Sequence, residues 1–305
     1  MKGKVITIVG PTASGKTALS VRLAKKLGSC VISGDAFQVY RGMDIGTAKV
    51  TVREMEGVPH FLVDFLSPEE SYTAARFCEL AADVIARENE AGRVPVLAGG
   101  TGLYVQSLLE GYRFLPKGSG RKSLWQEVYA VRGKEGLLEE IRRRAPEADA
   151  PLDPQRMIRL LEVLDAEGTA VMPEKEKERA YVGPVIGLTM DRARLYDRIN
   201  RRVDAMICAG LETEVRRLLD SGVPEDAQSM RGIGYKEMIP VIKGDCSLPE
   251  AAALIRKRTR HFAKRQLTWY KRMPYIRWFP LDEEEDADLW YDNINQYITE
   301  FLAEC

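Results

Sequence analysis

Paired cysteines are the first thing this sequence lacks. Its five cysteines, Cys30, Cys78, Cys208, Cys246 and Cys305, are scattered along 305 residues, and no Cys/His set has zinc-ligand spacing. That argues against a disulfide scaffold and a structural zinc site, and predicts free thiols in a reducing compartment. Long apolar runs are missing as well. Nothing approaches the stretch of about 18 apolar residues that a membrane-spanning helix needs, and Met1 leads into a strand-like segment rather than a cleavable leader, so a cytoplasmic protein is expected. Net charge is also absent, with 45 Lys and Arg against 45 Asp and Glu, which argues against nucleic-acid binding through a uniformly basic surface. Nothing repeats, no segment is low in complexity, and no coiled-coil seam is evident. A monomer is the expectation.

The charge that is there is unevenly placed. Residues 256–272 hold eight Lys or Arg and no acid, whereas residues from 281 onward carry acids and neither Lys nor Arg. A local basic element on a neutral protein follows.

Hydrophobic residues make up 45% of the chain, enough for a sizeable core. Strand-like runs at 5–9, 31–33, 61–64 and 94–98 alternate with helical patterns at 17–27 and 72–90. In the second of these, Phe77, Leu80, Ala81, Val84 and Ile85 repeat at helical spacing. The alternation predicts an α/β fold, a parallel sheet flanked by helices. Near Gly111 the pattern changes to a Gly/Pro/Lys loop and then three helical stretches, with no strand until 185–188. The expected organisation is a core domain from 1–112 and 183–305, with a helical insertion domain at 113–182. Asp153 before Pro154 marks a helix start, and the Ser247 to Glu250 spacing is a capping box opening a long helix. The rest of the chain reads as mainly helical.

Residues Gly10, Pro11, Thr12, Ala13, Ser14, Gly15, Lys16 and Thr17 satisfy G-x-x-x-x-G-K-[ST] between a hydrophobic strand and a helix, where a phosphate-binding loop must lie. Backbone N–H groups and the helix end face an anion, Lys16 adds a charge, and the Thr17 hydroxyl is a candidate Mg²⁺ ligand. The loop does not say which polyphosphate it holds; among such proteins ATP or GTP is commonest. A doubly wound sheet brings Asp35, after the second strand, to the same edge. Asp35 is then a general base, an outer-sphere Mg²⁺ partner or a helix N-cap. Thr101 follows two glycines after the fourth strand, where the backbone can approach a ligand.

Taken in order, these segments resemble the tRNA dimethylallyltransferase family of the bacterial type. The matching stretches are GPTASGKT at 10–17, GDAFQVYRGMDIGTAK at 34–49, GGTGLYVQSLLEG at 99–111, DPQRMIRLLEV at 153–163, LYDRINRRVDAMICAGLETEV at 195–215, GIGYKE at 232–237 and TRHFAKRQLTWYKR at 259–272. The resemblance implies a P-loop NTPase-like core and transfer of a dimethylallyl group from dimethylallyl diphosphate to N6 of adenine 37. The acceptors are tRNAs reading codons that begin with U, and Mg²⁺ is the cofactor. It implies that the loop holds the donor diphosphate, that Asp35 is the base, and that Lys16 and Thr101 complete the catalytic set. Arg202 is a further diphosphate clamp or a helix-surface arginine.

Contact with the tRNA anticodon stem-loop is implied for Asp35, Ala36, Phe37, Gln38, Thr101, Arg121, Gln155, Arg156, Met157, Ile158, Arg159, Arg231, Gly232, Ile233, Gly234, Tyr235 and Lys236. On the basic helix, Arg260 and Lys264 share a line with Arg256 and are expected to meet phosphates. Three other readings compete: a P-loop small-molecule kinase, an isopentenyltransferase acting on free adenylate, and a tRNA-binding protein without catalysis.

Overall fold

The computed structural model describes residues 2–112, 114, 120–148, 150–168, 178–281 and 287–303, with 287–289 described as backbone only. Cys305 and most of the loop from Gly111 to Gly120 lie outside them. The first part of the chain runs β1 (Ile6–Val9), α1 (Lys16–Lys26), β2 (Val31–Gly34), α2 (Val52–Met55), β3 (His60–Phe61), α3 (Ala74–Glu90), β4 (Val96–Gly99) and α4 (Gly102–Leu109). Two helices follow, α5 (Lys122–Arg144) and α6 (Pro154–Glu167). The last part is β5 (Val185–Thr189), α7 (Arg192–Cys208), α8 (Leu211–Asp220), α9 (Tyr235–Lys243), α10 (Leu248–Tyr270), β6 (Ile276–Pro280) and α11 (Ala287–Ala303).

All strand pairs are parallel, in one sheet of order β3-β2-β4-β1-β5-β6. Alternate residues of each strand enter opposite cores, as the two-residue period demands. Val9, Ile32, Leu97 and Val185 join one cluster, and Ile8, Val31, Val96 and Ile186 the other. Burial on both faces is why these strands read as continuous hydrophobic runs rather than as alternation. The strand β1 is central, so the loop after it opens at the carboxyl edge, where open α/β sheets bind ligands.

Two expected features differ. The run 61–64 pairs only at His60 and Phe61, because Leu62 and Asp64 take left-handed φ of 61° and 56° and end the strand. The last segment contains a strand, β6, at the sheet edge beside β5. Its five residues, between a basic run and an acidic one, are too short to show a period, and Pro280 is tolerated because it closes an edge strand.

The chain forms two compact units, Met1–Glu110 with Glu178–Cys305, and Gly111–Lys177, so the junctions fall at 111 and 178 where 113 and 183 were expected. The smaller unit has its own core of Trp125, Leu137, Ile141, Met157, Ile158, Leu160, Leu161 and Leu164. Its α5 is broken at Gly133, where φ is 63°, into two helical stretches. Asp153 caps α6 by accepting from the Arg156 N–H at 3.0 Å. Among the described cysteines, Cys30, Cys78, Cys208 and Cys246 are free thiols. Burial raises Cys30 to about 11 and Cys78 to about 12, so both stay protonated.

Candidate active site

The loop at 10–17 bends because two of its glycines do what other residues resist. Gly15 caps α1 with φ of 94°. At Gly10, φ is 152° and a Cβ would meet the Leu188 carbonyl oxygen at 2.8 Å and Ser14 Oγ at 3.0 Å. Lys16 Nζ folds back on the loop and donates to the carbonyls of Gly10 at 3.0 Å and Pro11 at 2.7 Å. Burial and then the positive charge of Arg202 lower its pKa to about 7, with Asp35 acting the other way. Ser14 is buried, and its hydroxyl has no hydrogen-bond partner among the described residues. Buried polar atoms are normally satisfied, so a loop hydroxyl left open suits a ligand oxygen.

Arg202, on α7, lines the same cavity and forms no hydrogen bond or salt bridge among the described residues. Burial lowers its pKa, offset by Asp35 and Glu54. Between the two readings left open for it, the structure places the side chain in the cavity. That cavity of about 1240 Å³ is lined by Thr12, Ala13, Ser14, Gly15, Lys16, Thr17, Asp35, Gln38, Gly100, Arg202 and Gln266, among others.

Asp35 follows β2, and its Oδ1 accepts from the N–H groups of Phe37 at 2.8 Å and Gln38 at 3.3 Å. This locks one oxygen as a turn cap. The other, Oδ2, lies 2.6 Å from where a Cβ at Gly100 would stand, so a side chain there would displace the carboxylate from its present position. Thr101 Oγ1 accepts from the Ala36 N–H at 3.0 Å. The two turns after β2 and β4 are thereby joined.

Gln266, which sequence reasoning passed over, is buried on α10. Its Oε1 accepts from the Thr12 N–H at 2.8 Å, and its Nε2 donates to the Gly100 carbonyl at 2.6 Å. Glu214 was missed for the same reason. Buried on α8, it accepts from the N–H groups of Asp44 at 2.9 Å, Ile45 at 2.8 Å and Gly46 at 3.0 Å, and from the Tyr235 hydroxyl at 2.7 Å. A signal was present for both. Glu214 interrupts the apolar stripe Leu211, Val215, Leu218, and Gln266 interrupts Ala263, Leu267, Tyr270; a polar residue on a buried helical stripe needs a specific partner.

The loop that Glu214 holds continues to the carbonyls of Thr47 and Ala48, which accept from Gln38 Nε2 at 3.4 and 3.2 Å. Ser33 Oγ donates to Gln38 Oε1 at 3.3 Å. Gln38 is thus oriented from both ends.

The residues implied in tRNA contact divide by burial. Gln155 and Arg156 are exposed in the first turn of α6, and Arg231 and Lys236 are exposed around the start of α9. Arg159 is half-buried and lies 3.9 Å from Glu162, and Arg121 is exposed and lies 3.9 Å from Asp165. Met157, Ile158 and Tyr235 have fully buried side chains, so their part is to support the surface from beneath. Burial lifts the Tyr235 phenol far above its ordinary range, and the Glu214 carboxylate adds to that. Ile233 is half-buried, and Gly234, with φ of 103°, caps α9. Phe37 packs against Gly232, where a Cβ would meet its ring at 3.2 Å, so Ala36 and Phe37 lie beside the 231–236 turn.

The cations of α10 are less available than their density suggests. Arg256 pairs with Asp204, Arg258 with Glu237, and Arg260 donates to Asn200 at 2.8 Å. Lys264 is exposed and makes no side-chain hydrogen bond or ion pair among the described residues.

Metal ligands are scarce. Among the described residues no group of three or more His, Cys, Asp or Glu could hold an ion. The Thr17 hydroxyl lines the cavity at the start of α1. That donor set fits a magnesium ion that takes most of its ligands from water and from the oxygens of a bound diphosphate, not one held by a protein cage.

Sheet order, loop and cavity define the class: an α/β protein with a phosphate-loop-type turn and a carboxylate lining one cavity. A sequence model of the family described as IPP transferase matches residues 38–273. The tRNA dimethylallyltransferase of Bacillus subtilis (strain 168) is 42% identical over 306 residues, covering 97% of this chain and 97% of that one. That of Lacticaseibacillus casei (strain BL23) is 44% identical over 304 residues, with the same coverage of each chain. The solved full-length tRNA isopentenylpyrophosphate transferase of Bacillus halodurans superposes with a TM-score of 0.77 at 42% identity, covering 99% of this chain and 98% of that one. A eukaryotic dimethylallyltransferase acting on tRNA shares the fold, with a TM-score of 0.75 at 23% identity over 97% of this chain and 77% of that one. This chain belongs to the IPP transferase family.

Proposed function

We propose that the protein is a tRNA dimethylallyltransferase. It moves the dimethylallyl group from dimethylallyl diphosphate to N6 of adenine 37 in tRNAs reading codons that begin with U, and it releases diphosphate. One observation carries this reading: the anion cradle and the Asp35 carboxylate share a single cavity of about 1240 Å³. One small ligand fills a pocket of about 300–1,000 Å³, so there is room for a donor and an incoming base together.

The N6 lone pair is delocalised into the adenine ring, and the amine is a poor nucleophile. As the nitrogen attacks the allylic carbon, the carbon–oxygen bond to diphosphate breaks with its electron pair, and the N6 proton passes to Asp35. Negative charge grows on the leaving diphosphate. The loop N–H groups, the Ser14 hydroxyl, Lys16 and Arg202 strengthen their hold as it does, which lowers the barrier. Thr17 would help hold a magnesium ion, which would supply further positive charge beside the leaving group. Thr101 holds the Ala36 N–H and so fixes the turn carrying Asp35. The target base must leave its stack to enter the cavity, and Gln38 faces it there with its carboxamide already oriented.

The exposed residues Arg121, Gln155, Arg156, Arg231, Lys236 and Lys264 are the side chains assigned to tRNA contact. Among the described residues no helix is long and apolar enough to cross a membrane. We place the protein in the cytoplasm, acting as a monomer. The deciding experiment incubates it with Mg²⁺, labelled dimethylallyl diphosphate and undermodified tRNA, AMP or ATP in separate reactions. Label on tRNA is the expected result. Label on AMP alone would reassign the acceptor to free nucleotides.

A further inference from the structure

We infer that Gln266 is a positioning residue that joins the donor loop to the turn beside the general base, setting the distance between leaving group and nucleophile. This rests on the transferase reading above.

One line of hydrogen bonds runs from the phosphate loop to the turn carrying Asp35. The Thr12 N–H of the donor loop donates to Gln266 Oε1 at 2.8 Å, and Gln266 Nε2 donates to the Gly100 carbonyl at 2.6 Å. The next residue, Thr101, accepts from the Ala36 N–H, and Ala36 adjoins Asp35. Both partners of Gln266 are distant in sequence, at separations of 254 and 166 residues, so the contact is tertiary. A carboxamide accepts through its oxygen on one side and donates through its nitrogen on the other, and it adds no charge beside an anion site. Both of its partners are backbone groups of the two turns, so the carboxamide ties one turn to the other. Its effect must fall on geometry.

The seat is rigid. One turn further along α10, Trp269 packs on Gly102 so closely that a Cβ there would meet the indole at 2.5 Å. Gly100 and Thr101 also donate to the Gly34 carbonyl, at 3.2 and 2.9 Å. The turn therefore answers to α10 on one side and β2 on the other. A displacement of about 1 Å in a reacting pair costs on the order of 10²-fold in rate, so loosening this tie should be costly without touching substrate.

Gln266→Met keeps the volume and removes both hydrogen bonds. The expected single-turnover rate falls by roughly 10²-fold, while affinity for inorganic diphosphate and for tRNA stays close to that of the unsubstituted protein. Pairing it with Thr101→Ala should give a combined loss well short of the product of the two single losses, because both act on the same turn. Should the methionine variant fail to fold, Gln266→Asn, too short to reach both partners, takes the same measurements. An unchanged rate, a parallel loss of diphosphate affinity, or strictly multiplicative effects would each overturn the inference. Failure of the transferase reading looks different: the unsubstituted protein itself would label no tRNA.

Discussion

Two regions of this protein are rich in positive charge, and they handle it in opposite ways. On the first half of α10, arginines meet partners from other elements: Arg256 has Asp204, Arg258 has Glu237, and Arg260 has Asn200. Around the phosphate loop, among the described residues, Lys16 donates to backbone carbonyls alone and Arg202 has no hydrogen bond or salt bridge. An unmatched cation in a desolvated place opposes folding unless something else compensates. Cations left without an ion-pair partner at the cavity suit an anionic ligand, whereas the three arginines on α10 already have protein partners.

Removing the base should give the largest effect. Asp35→Ala is expected to slow single-turnover transfer by roughly 10²- to 10⁴-fold with donor affinity retained; a rate near that of the unsubstituted protein would take Asp35 out of the role. Next comes the buried carboxylate that organises a loop rather than a ligand. Glu214→Ala strips three backbone N–H groups and a tyrosine hydroxyl of their acceptor, and should cost about 3 kcal/mol, read as a lower Tm. A change within error would mean the loop finds other acceptors.

The unmatched lysine gives a proton-linked effect. With its pKa at about 7, Lys16 is mostly neutral at pH 8 in the free protein and becomes charged against a bound anion. Diphosphate binding should then take up about one proton near pH 8 and weaken by up to about tenfold per pH unit above 7. Calorimetry in buffers of different ionisation heat reads the uptake directly, and heats independent of buffer would show that Lys16 is already charged. Smallest is the helix face. Lys264→Ala should flatten the salt dependence of tRNA binding by a logarithmic slope of about 0.9 if it meets a duplex phosphate, whereas Arg260→Ala should leave the slope alone and lower Tm slightly. Equal slopes for the two variants would erase the distinction between matched and unmatched cations on α10.

Much of the fold was legible because its signals are local. The strand before the loop, the helix after it, the Asp153 cap and the Ser247 capping box depend on neighbours within a few residues, and each stands where its pattern put it. The strand β6 was not legible, since an edge strand is defined by the partner it finds, here β5. Met157, Ile158 and Tyr235 sit in stretches whose neighbours are exposed, and sequence order could not say which side chains turn inward.

The sequence by itself determined the phosphate loop, the carboxylate and threonine that follow the second and fourth strands, and the break between sheet-bearing and helical segments. Those depend on residue type and spacing, which backbone sterics and hydrophobic period translate directly into local structure. The folded chain was needed to set which cations remain without ion-pair partners, that Glu214 and Gln266 hold loops from afar, and that Arg202 lines the cavity at the phosphate loop. Each of those is a relation between residues tens to hundreds of positions apart. A hydrogen bond or an ion pair acts over a few ångströms, so only the folded chain sets which groups come that close.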